Sequence, residues 1–144
     1  MRLVIDTNVL ISALLVGSSL PAHLIGLWRE SRFDLLISAD QLDELMRVTR
    51  YPRLRARLAP ALAGRLINEL RDLAIVVENL PAVTVCSDPY DAYLLAIAAA
   101  GSADFLVTGD KRDLLGLRLH QGTKIVTVRD FLALHGRLPG ASPG

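Results

Sequence analysis

Short apolar segments alternate with longer segments of helical periodicity along this chain. Five runs rich in branched residues predict strands at 3–5, 35–37, 75–77, 105–107 and 125–128. None of these runs shows the apolar–polar alternation of a half-exposed strand. Continuous apolar runs of this kind are typical of parallel strands that are covered on both faces. We therefore expect a mostly parallel sheet buried between layers of helices.

The segments between these runs predict helices at 21–32, 38–50, 60–73, 89–100, after 110 and at 129–135. Pro21 suits a first helical position, Ser38 and Gln41 resemble a capping box, and Gly101 is expected to close the fourth helix. Strands that alternate with helices favour an α/β sandwich. Of the three histidines, His23 and His135 fall in predicted helices and His120 in a predicted loop, where ordinary packing is their expected role.

Composition narrows the class of protein. The 144 residues are 51% hydrophobic and 22% charged, which excludes a disordered chain. A net charge of +1 excludes a strongly basic protein that coats nucleic acid, so any such affinity must come from local clusters. The single cysteine, Cys86, excludes an internal disulfide and a zinc site built from cysteines. We predict one domain over 1–135 and a flexible, Pro- and Gly-rich C-terminal tail over 136–144.

The apolar runs are too short for a membrane protein. The longest of them, 92–100, falls well below the roughly 20 residues that a membrane-spanning helix needs. Asp6 and Asn8 interrupt the apolar region that a secretory signal would require. We therefore expect a soluble, cytoplasmic protein with no membrane contact.

Acidic residues collect where the predicted strands end. In open α/β sheets, ligands bind outside the carboxyl ends of the strands. The carboxylates at this edge are Asp6, Asp40, Asp43, Glu44, Asp88, Asp91 and Asp110. Crowded carboxylates repel one another unless a cation neutralises them, and hard oxygen ligands without His or Cys suit Mg²⁺ or Mn²⁺ rather than zinc. The chemistry that fits is metal-assisted hydrolysis of a phosphodiester.

Each carboxylate also has a purely structural interpretation. Asp6 follows a strand and suits a turn or a helix cap. Asp88, Pro89 and Asp91 suit the start of a helix, where Asp91 favours the helix dipole. The segment 110–113 can be interpreted in the same way.

Periodicity does not single out Glu44. If the apolar stripe of its helix runs through 42, 45, 46 and 49, a helical wheel places Glu44 nearly opposite, in solvent. Asp43 is as good a candidate on this pattern. Thr7 offers a hydroxyl that suits either packing or contact with a phosphate, and Asn8 suits a hydrogen-bonding turn.

Five segments in this order resemble the PIN-domain ribonucleases. VIDTNVLISALL at 4–15 resembles their opening signature, and Ile37-Ser38 followed by Glu44-Leu45 resembles their second motif. DPYDA at 88–92 and LVTGDKRDLL at 106–115 resemble the third and fourth motifs, and IVTVRDF at 125–131 resembles their closing strand and helix. The branch that this chain resembles is the VapC-type toxins of bacterial toxin–antitoxin operons.

The resemblance implies a five-stranded parallel sheet between helices and a catalytic set that holds one or two Mg²⁺ or Mn²⁺ ions. The residues that match this set are Asp6, Glu44, Asp91 and Asp110. It also implies secondary roles near the site for Thr7, Asn8, Asp88 and Asp113. Its further implications are RNA as substrate, a cognate antitoxin protein and a homodimer.

Five arginines fall within eleven residues directly after the helix of Glu44. They are Arg47, Arg50, Arg53, Arg55 and Arg57. Arginine binds phosphate through forked hydrogen bonds, so Arg47, Arg50 and Arg53 are candidates for contacting RNA. The alternative is a solvated helical face interrupted by Pro52.

Other functions fit the sequence less well. A phosphatase of the haloacid-dehalogenase type needs a second aspartate two residues after the first, where this chain has Asn8. No two glycines have the G-x-G spacing of a dinucleotide site, and no phosphate-binding loop is present. A PIN-like fold that binds RNA or protein without cleaving remains the alternative outside enzymology, and the complete set of acids argues against it.

Overall fold

The structure is a computed structural model that describes residues 1–109 and 112–136. Asp110 lies outside the described residues, as does the predicted tail apart from Gly136. The strands are β1 (Arg2–Ile5), β2 (Asp34–Ile37), β3 (Ile75–Val76), β4 (Phe105–Thr108), β5 (Leu119–His120) and β6 (Thr123–Thr127). The helices are α1 (Thr7–Leu15), α2 (Leu20–Arg29), α3 (Ala39–Val48), α4 (Pro52–Arg55), α5 (Pro60–Leu73), α6 (Pro89–Gly101), α7 (Arg112–Leu117) and α8 (Val128–His135).

Within the described ranges the strands form one six-stranded sheet in the order β3-β2-β1-β4-β6-β5. All neighbouring pairs are parallel except β5 and β6, which are antiparallel. The predicted α/β fold is confirmed, and its five expected strands are all parallel, but the sheet also contains a sixth, antiparallel strand that was not predicted. The additional strand β5 is only two residues long, and its Leu119 is exposed, so it carries no continuous apolar run that the pattern could detect.

Alternate residues of each central strand pack on opposite faces of the sheet. Leu3 and Ile5 of β1 belong to one hydrophobic cluster with residues of α1, α2, α3, α5 and α8. Val4 belongs to a second cluster with residues of α6 and α7. Because successive strand side chains point to opposite faces, a strand buried on both sides has to be apolar throughout. This explains the unbroken apolar runs of the sequence. The sheet and the helices on its two faces form three layers.

Local side-chain caps set where several helices begin. Asp6, Ser19, Ser38, Asp88 and Thr127 each accept a hydrogen bond from a backbone N–H in the first turn of the helix that follows. Such caps satisfy backbone donors that have no partner within the helix. The helix α1 follows Asp6 directly and was not among the helices predicted from periodicity. Residues 9–11 are three consecutive apolar positions, so they do not show the spacing of apolar and polar residues that marks a helix.

Most other boundaries differ from the predictions by one to three residues. The helix α2 begins at Leu20, so Pro21 is its second residue. The fifth predicted strand ends at Thr127, because Val128 already begins α8. Gly101 does not close α6 but is its last helical residue, and Ser102 adopts the left-handed conformation at φ 53°.

The histidines have structural positions. His23 lies in α2 and His135 in α8, as predicted, and the ring of His135 packs against Phe105 and Phe131. His120 lies in β5 and not in a loop, which corrects the prediction.

Among the helices of the described part of the chain, none alone is long and apolar enough to cross a membrane. The pair α1 and α2 reaches the required length and composition together, but the two helices are bent by 101°.

Candidate active site

Asp6 lies at the centre of the sheet edge, directly after β1. Its strand lies between β2 and β4, and its backbone N–H donates to the carbonyl of Val107 at 2.9 Å. The side chain caps α1 by accepting the Asn8 N–H at 3.1 Å. Only 1% of the residue is exposed. The cap interpretation is therefore confirmed, and the same carboxylate is also a buried charge at the position where such sheets bind ligands.

Donors from three parts of the fold hold the carboxylate of Asp6. Oδ1 accepts from the Asn8 N–H and from the Tyr90 hydroxyl at 2.8 Å, and Oδ2 accepts from the Thr108 hydroxyl at 2.9 Å. None of these donors, all within the described residues, carries a positive charge. A buried ionised carboxylate needs hydrogen bonds and a nearby cation to offset its lost hydration. The three donors supply the hydrogen bonds, but none of them neutralises the negative charge, so a bound cation would complete the site.

Tyr90 joins the third motif to the first. Its hydroxyl donates to Asp6 Oδ1 and accepts the backbone N–H of Thr7 at 3.2 Å. The residue is half-buried, and this burial, together with the negative charges of Asp6 and Glu44, raises the pKa of the Tyr90 phenol well above its ordinary value. The phenol therefore remains protonated and able to donate over the whole neutral range. No role was predicted for Tyr90 from the sequence.

Gln41 of α3 bonds the residues on either side of Asp6. Its backbone N–H bonds the Ser38 hydroxyl, which confirms half of the predicted capping box. The Gln41 side chain does not return to Ser38. It is 1% exposed, and its amide donates to the carbonyl of Ile5 at 2.8 Å and to the Thr7 hydroxyl at 3.3 Å. Gln41 therefore bonds both neighbours of Asp6, the backbone of Ile5 and the side chain of Thr7.

The start of α6 brings two further carboxylates to this region. Asp88 is the exposed N-cap and accepts the Tyr90 N–H at 2.8 Å, as its structural interpretation predicted. Asp91 lies in the first turn and is 4% exposed. A carboxylate in a first helical turn is stabilised by the helix dipole. The negative charges of both residues, after the larger effect of burial, raise the pKa of the neighbouring Cys86 thiol.

Glu44 lies beside the site and not in open solvent. It is half-buried and lines a groove of about 510 Å³ between α3 and the start of α6. The other residues along this groove are Asp40, Asp43, Arg47, Pro89, Tyr90 and Tyr93. The helical wheel was misleading because it treated solvent as the only alternative to the apolar core. Asp43 is exposed along the same groove, so position alone does not separate the two acids.

The remaining predicted residues have mixed placements. Thr7 is buried and Asn8 is exposed, both in the first turn of α1. Asp113 is exposed in the first turn of α7, and Asp110 lies outside the described residues. Thr108 was not predicted as a site residue. The sequence does contain a signal for it, because Thr108 is the one polar residue at the end of an apolar strand.

Comparison with known proteins identifies the family. A sequence model described as the PIN domain matches residues 2–112, which is more than half of the chain. The chain belongs to the PIN domain family. No curated protein and no solved structure matches this sequence. PIN domains are generally nucleases, they typically use divalent metal ions, and they commonly act on RNA.

The donor chemistry of this PIN domain fits a small divalent cation. Among residues 1–109 and 112–136, no three His, Cys, Asp or Glu side chains are grouped so that they could hold a metal ion together. Mg²⁺ does not require such a cage, since it is usually bound by one or two carboxylates together with waters and substrate phosphate. Asp6 and Asp91 offer two buried carboxylates of the hard type that Mg²⁺ and Mn²⁺ prefer.

Proposed function

We propose that this PIN domain is a metal-dependent endoribonuclease that acts as the toxin of a bacterial toxin–antitoxin pair. The observation that carries the proposal is the carboxylate of Asp6, buried at the carboxyl end of a central strand and bonded only by neutral donors among the described residues. Burying such a charge destabilises the fold, and a carboxylate that is buried in spite of this points to a functional task. In a family of nucleases, that task is to bind a cation beside the scissile phosphate.

The proposed ligands of Mg²⁺ or Mn²⁺ are Asp6, Glu44, Asp91 and Asp110. A cation bound by these residues would activate water and neutralise charge on the phosphodiester. The remaining roles belong to the chain itself. Gln41 and Thr108 hold Asp6 in place. The buried Thr7 donates its backbone N–H to the Tyr90 hydroxyl, and its own hydroxyl accepts from Gln41.

Two further acids and one amide complete the proposed surroundings of the site. Asp88 and Asn8 define the two turns from which α6 and α1 begin. Asp113, exposed in the first turn of α7, would face substrate or solvent. None of these three is proposed as a direct ligand of the metal.

The RNA would reach the site along the groove that Glu44 lines. Arg47 lines the same groove, one helical turn after Asp43 and Glu44 on α3. Arg50 and Arg53 are both exposed. Arg50 follows the end of α3, and Arg53 lies in α4. A guanidinium at the margin of an acidic site can bind the phosphates next to the one that is cleaved. This arrangement supports Arg47 as the first phosphate contact of the three.

The toxin assignment makes three additional claims. The chain would be cytoplasmic, it would pair as a homodimer, and a cognate antitoxin protein would keep it inactive until release. Expression of the chain alone in a bacterium is then expected to arrest growth, whereas the Asp6→Asn variant is expected to be harmless. Light scattering on the purified chain would test the dimer independently.

The decisive experiment is cleavage of a labelled single-stranded RNA pool of random sequence, which allows for sequence selectivity. The unaltered chain is assayed with Mg²⁺, with Mn²⁺ and with a chelator, beside Asp6→Asn and Asp91→Asn. The matched control is Asp72→Asn, which removes one carboxylate from the exposed face of α5. We expect cutting that needs metal, leaves 5′-phosphate ends, is lost in both site variants and persists in the control.

Two results would contradict the proposal in different ways. RNA that is bound but not cut in any lane would favour a non-catalytic PIN-fold binding module. Cutting that is equal in the chelator lane and in Asp6→Asn would show that the carboxylate site does not carry the activity.

A further inference from the structure

We propose that Tyr90 controls access of the metal ion to Asp6, because its hydroxyl occupies the oxygen that the cation would meet first. This inference rests on the proposed function and adds a regulatory residue to its site. The supporting facts are the different surroundings of the two carboxylate oxygens, the burial of Asp6 and the position of Tyr90 along the groove.

The two oxygens of Asp6 have different surroundings. Oδ2 accepts from Thr108, which is 0% exposed at the end of β4, so this oxygen lies on the interior side. Oδ1 accepts from the Asn8 N–H and from the hydroxyl of Tyr90. Tyr90 lines the groove and Asp6 does not. A cation that enters from the groove therefore approaches Oδ1, where the phenol is already bound.

The same hydroxyl bonds Asp6, and Tyr90 lines the groove together with Glu44. The charges of Asp6 and Glu44 both act on the Tyr90 phenol, although Asp6 is buried and Glu44 lies along the groove. The phenol also accepts the Thr7 N–H, which anchors it at both its donor and its acceptor sides. A cation can take Oδ1 of Asp6 from the groove only if this hydroxyl moves aside.

The energetic consequence is a competition for one oxygen. A hydrogen bond to a charged group contributes more to stability than one between neutral groups. Binding that requires this bond to break has an apparent affinity reduced by the fraction of molecules in the open state. Removing the hydroxyl while keeping the ring should then strengthen metal binding by about tenfold.

The test is Mn²⁺ affinity, measured by calorimetry and by electron paramagnetic resonance in the absence of RNA. The variants are Tyr90→Phe and, as the matched control, Tyr93→Phe. Tyr93 is a half-buried tyrosine on the same helix, but its hydroxyl pairs with Ser38 and not with Asp6. We expect Tyr90→Phe to bind Mn²⁺ about tenfold more tightly than the unaltered chain. The control is expected to stay within twofold, and Asp6→Asn to lose binding.

A second measurement is made on the unaltered chain. In the unaltered chain labelled with 3-fluorotyrosine, saturating Mg²⁺ should shift the ¹⁹F resonance of Tyr90, because its phenol leaves Asp6, and should leave that of Tyr93 in place. The resonances are assigned from the two phenylalanine variants.

The possible outcomes distinguish the role of Tyr90 from the proposed nuclease function. Equal or weaker Mn²⁺ binding by Tyr90→Phe, or a Tyr90 resonance unmoved by Mg²⁺, would overturn the role of Tyr90 and leave the nuclease proposal intact. No Mn²⁺ binding by the unaltered chain together with tight binding by Tyr90→Phe would support it strongly. If neither chain binds Mn²⁺, the metal-dependent function fails and the role of Tyr90 fails with it.

Discussion

The Thr108 hydroxyl donates to Oδ2 of Asp6 at 2.9 Å although 102 positions of sequence separate the two residues. The parallel register of the sheet explains the contact. Ile5 of β1 is opposite Val107 of β4, so the next residue of each chain segment leaves the sheet at the same place. Asp6 is thereby bonded to β4, the strand in which the fourth PIN motif begins.

Thr108→Val is expected to lower the free energy of unfolding by about 2 kcal/mol, because a buried carboxylate loses one of its donors. Thr123→Val is the matched control. Thr123 is also buried, at 1% exposed, but its hydroxyl donates to the neutral carbonyl of Ala103 at 2.7 Å. Its loss should cost about 1 kcal/mol. Urea denaturation of both variants measures the difference, and equal losses would contradict the stronger bond to the carboxylate.

Two glycines should respond in opposite directions to alanine. A Cβ at Gly101 would lie 2.5 Å from Cδ1 and 2.9 Å from Cδ2 of Leu36, which is itself buried under α6. Overpacking of this kind typically costs about 1–3 kcal/mol. Gly64 lies in the interior of α5 with nothing within 4 Å of such a Cβ, so Gly64→Ala should stabilise by about 0.5–1 kcal/mol. Thermal unfolding separates the two, and destabilisation by Gly64→Ala would contradict the open space at that position.

Glu69 should make stability depend on pH in the acidic range. Hydrogen bonds from Arg29 at 2.8 and 3.1 Å, with added attraction to Arg65, hold the pKa of Glu69 below its ordinary value. A carboxyl whose folded pKa is lowered contributes stability above its unfolded value of about 4.3 and loses it as the pH falls through the folded value. Glu69→Gln is therefore expected to cost about 0.5–1 kcal/mol at pH 7 and progressively less below about pH 4.

The control for Glu69 is Glu78→Gln. Glu78 is exposed and forms no ion pair with any residue of the described ranges. Its curve of unfolding free energy against pH should follow that of the unaltered chain. A Glu69→Gln curve that runs parallel to it at every pH would rule out the contribution of the Arg29 pair.

Arg47→Ala is expected to weaken RNA binding and to flatten its dependence on salt. Losing one phosphate contact lowers the slope of log affinity against log salt by about 0.7 for a single strand. The effect should be larger than that of Arg50→Ala or Arg53→Ala, because Arg47 lines the groove of the site. Arg65→Ala is the control, since it removes an exposed arginine that pairs with Glu69 on α5. A salt slope that is unchanged in Arg47→Ala would exclude a phosphate contact there.

The sequence by itself determined the class of fold and the position of Asp6 at the end of its strand. Both follow from local chemistry, since a strand covered on two faces must be apolar throughout and the polar residue that ends it must lie at the sheet edge. The caps formed by Asp6, Ser38 and Asp88 were also predictable, because each bonds a backbone group only two or three residues away. The matched motifs likewise lie in contiguous segments that a single sequence displays.

Only the tertiary structure decided which distant groups meet at the carboxylate of Asp6. The backbone N–H of Gln41 bonds Ser38, as a capping box requires. Its side-chain amide instead donates to Ile5 and Thr7, because the helix packs beside the end of β1. Tyr90 contacts Asp6 across 84 positions because the order of the sheet brings the start of α6 to the end of β1. Such contacts depend on strand order and register, which no local pattern encodes, and they determine how the buried charge of this PIN domain is held.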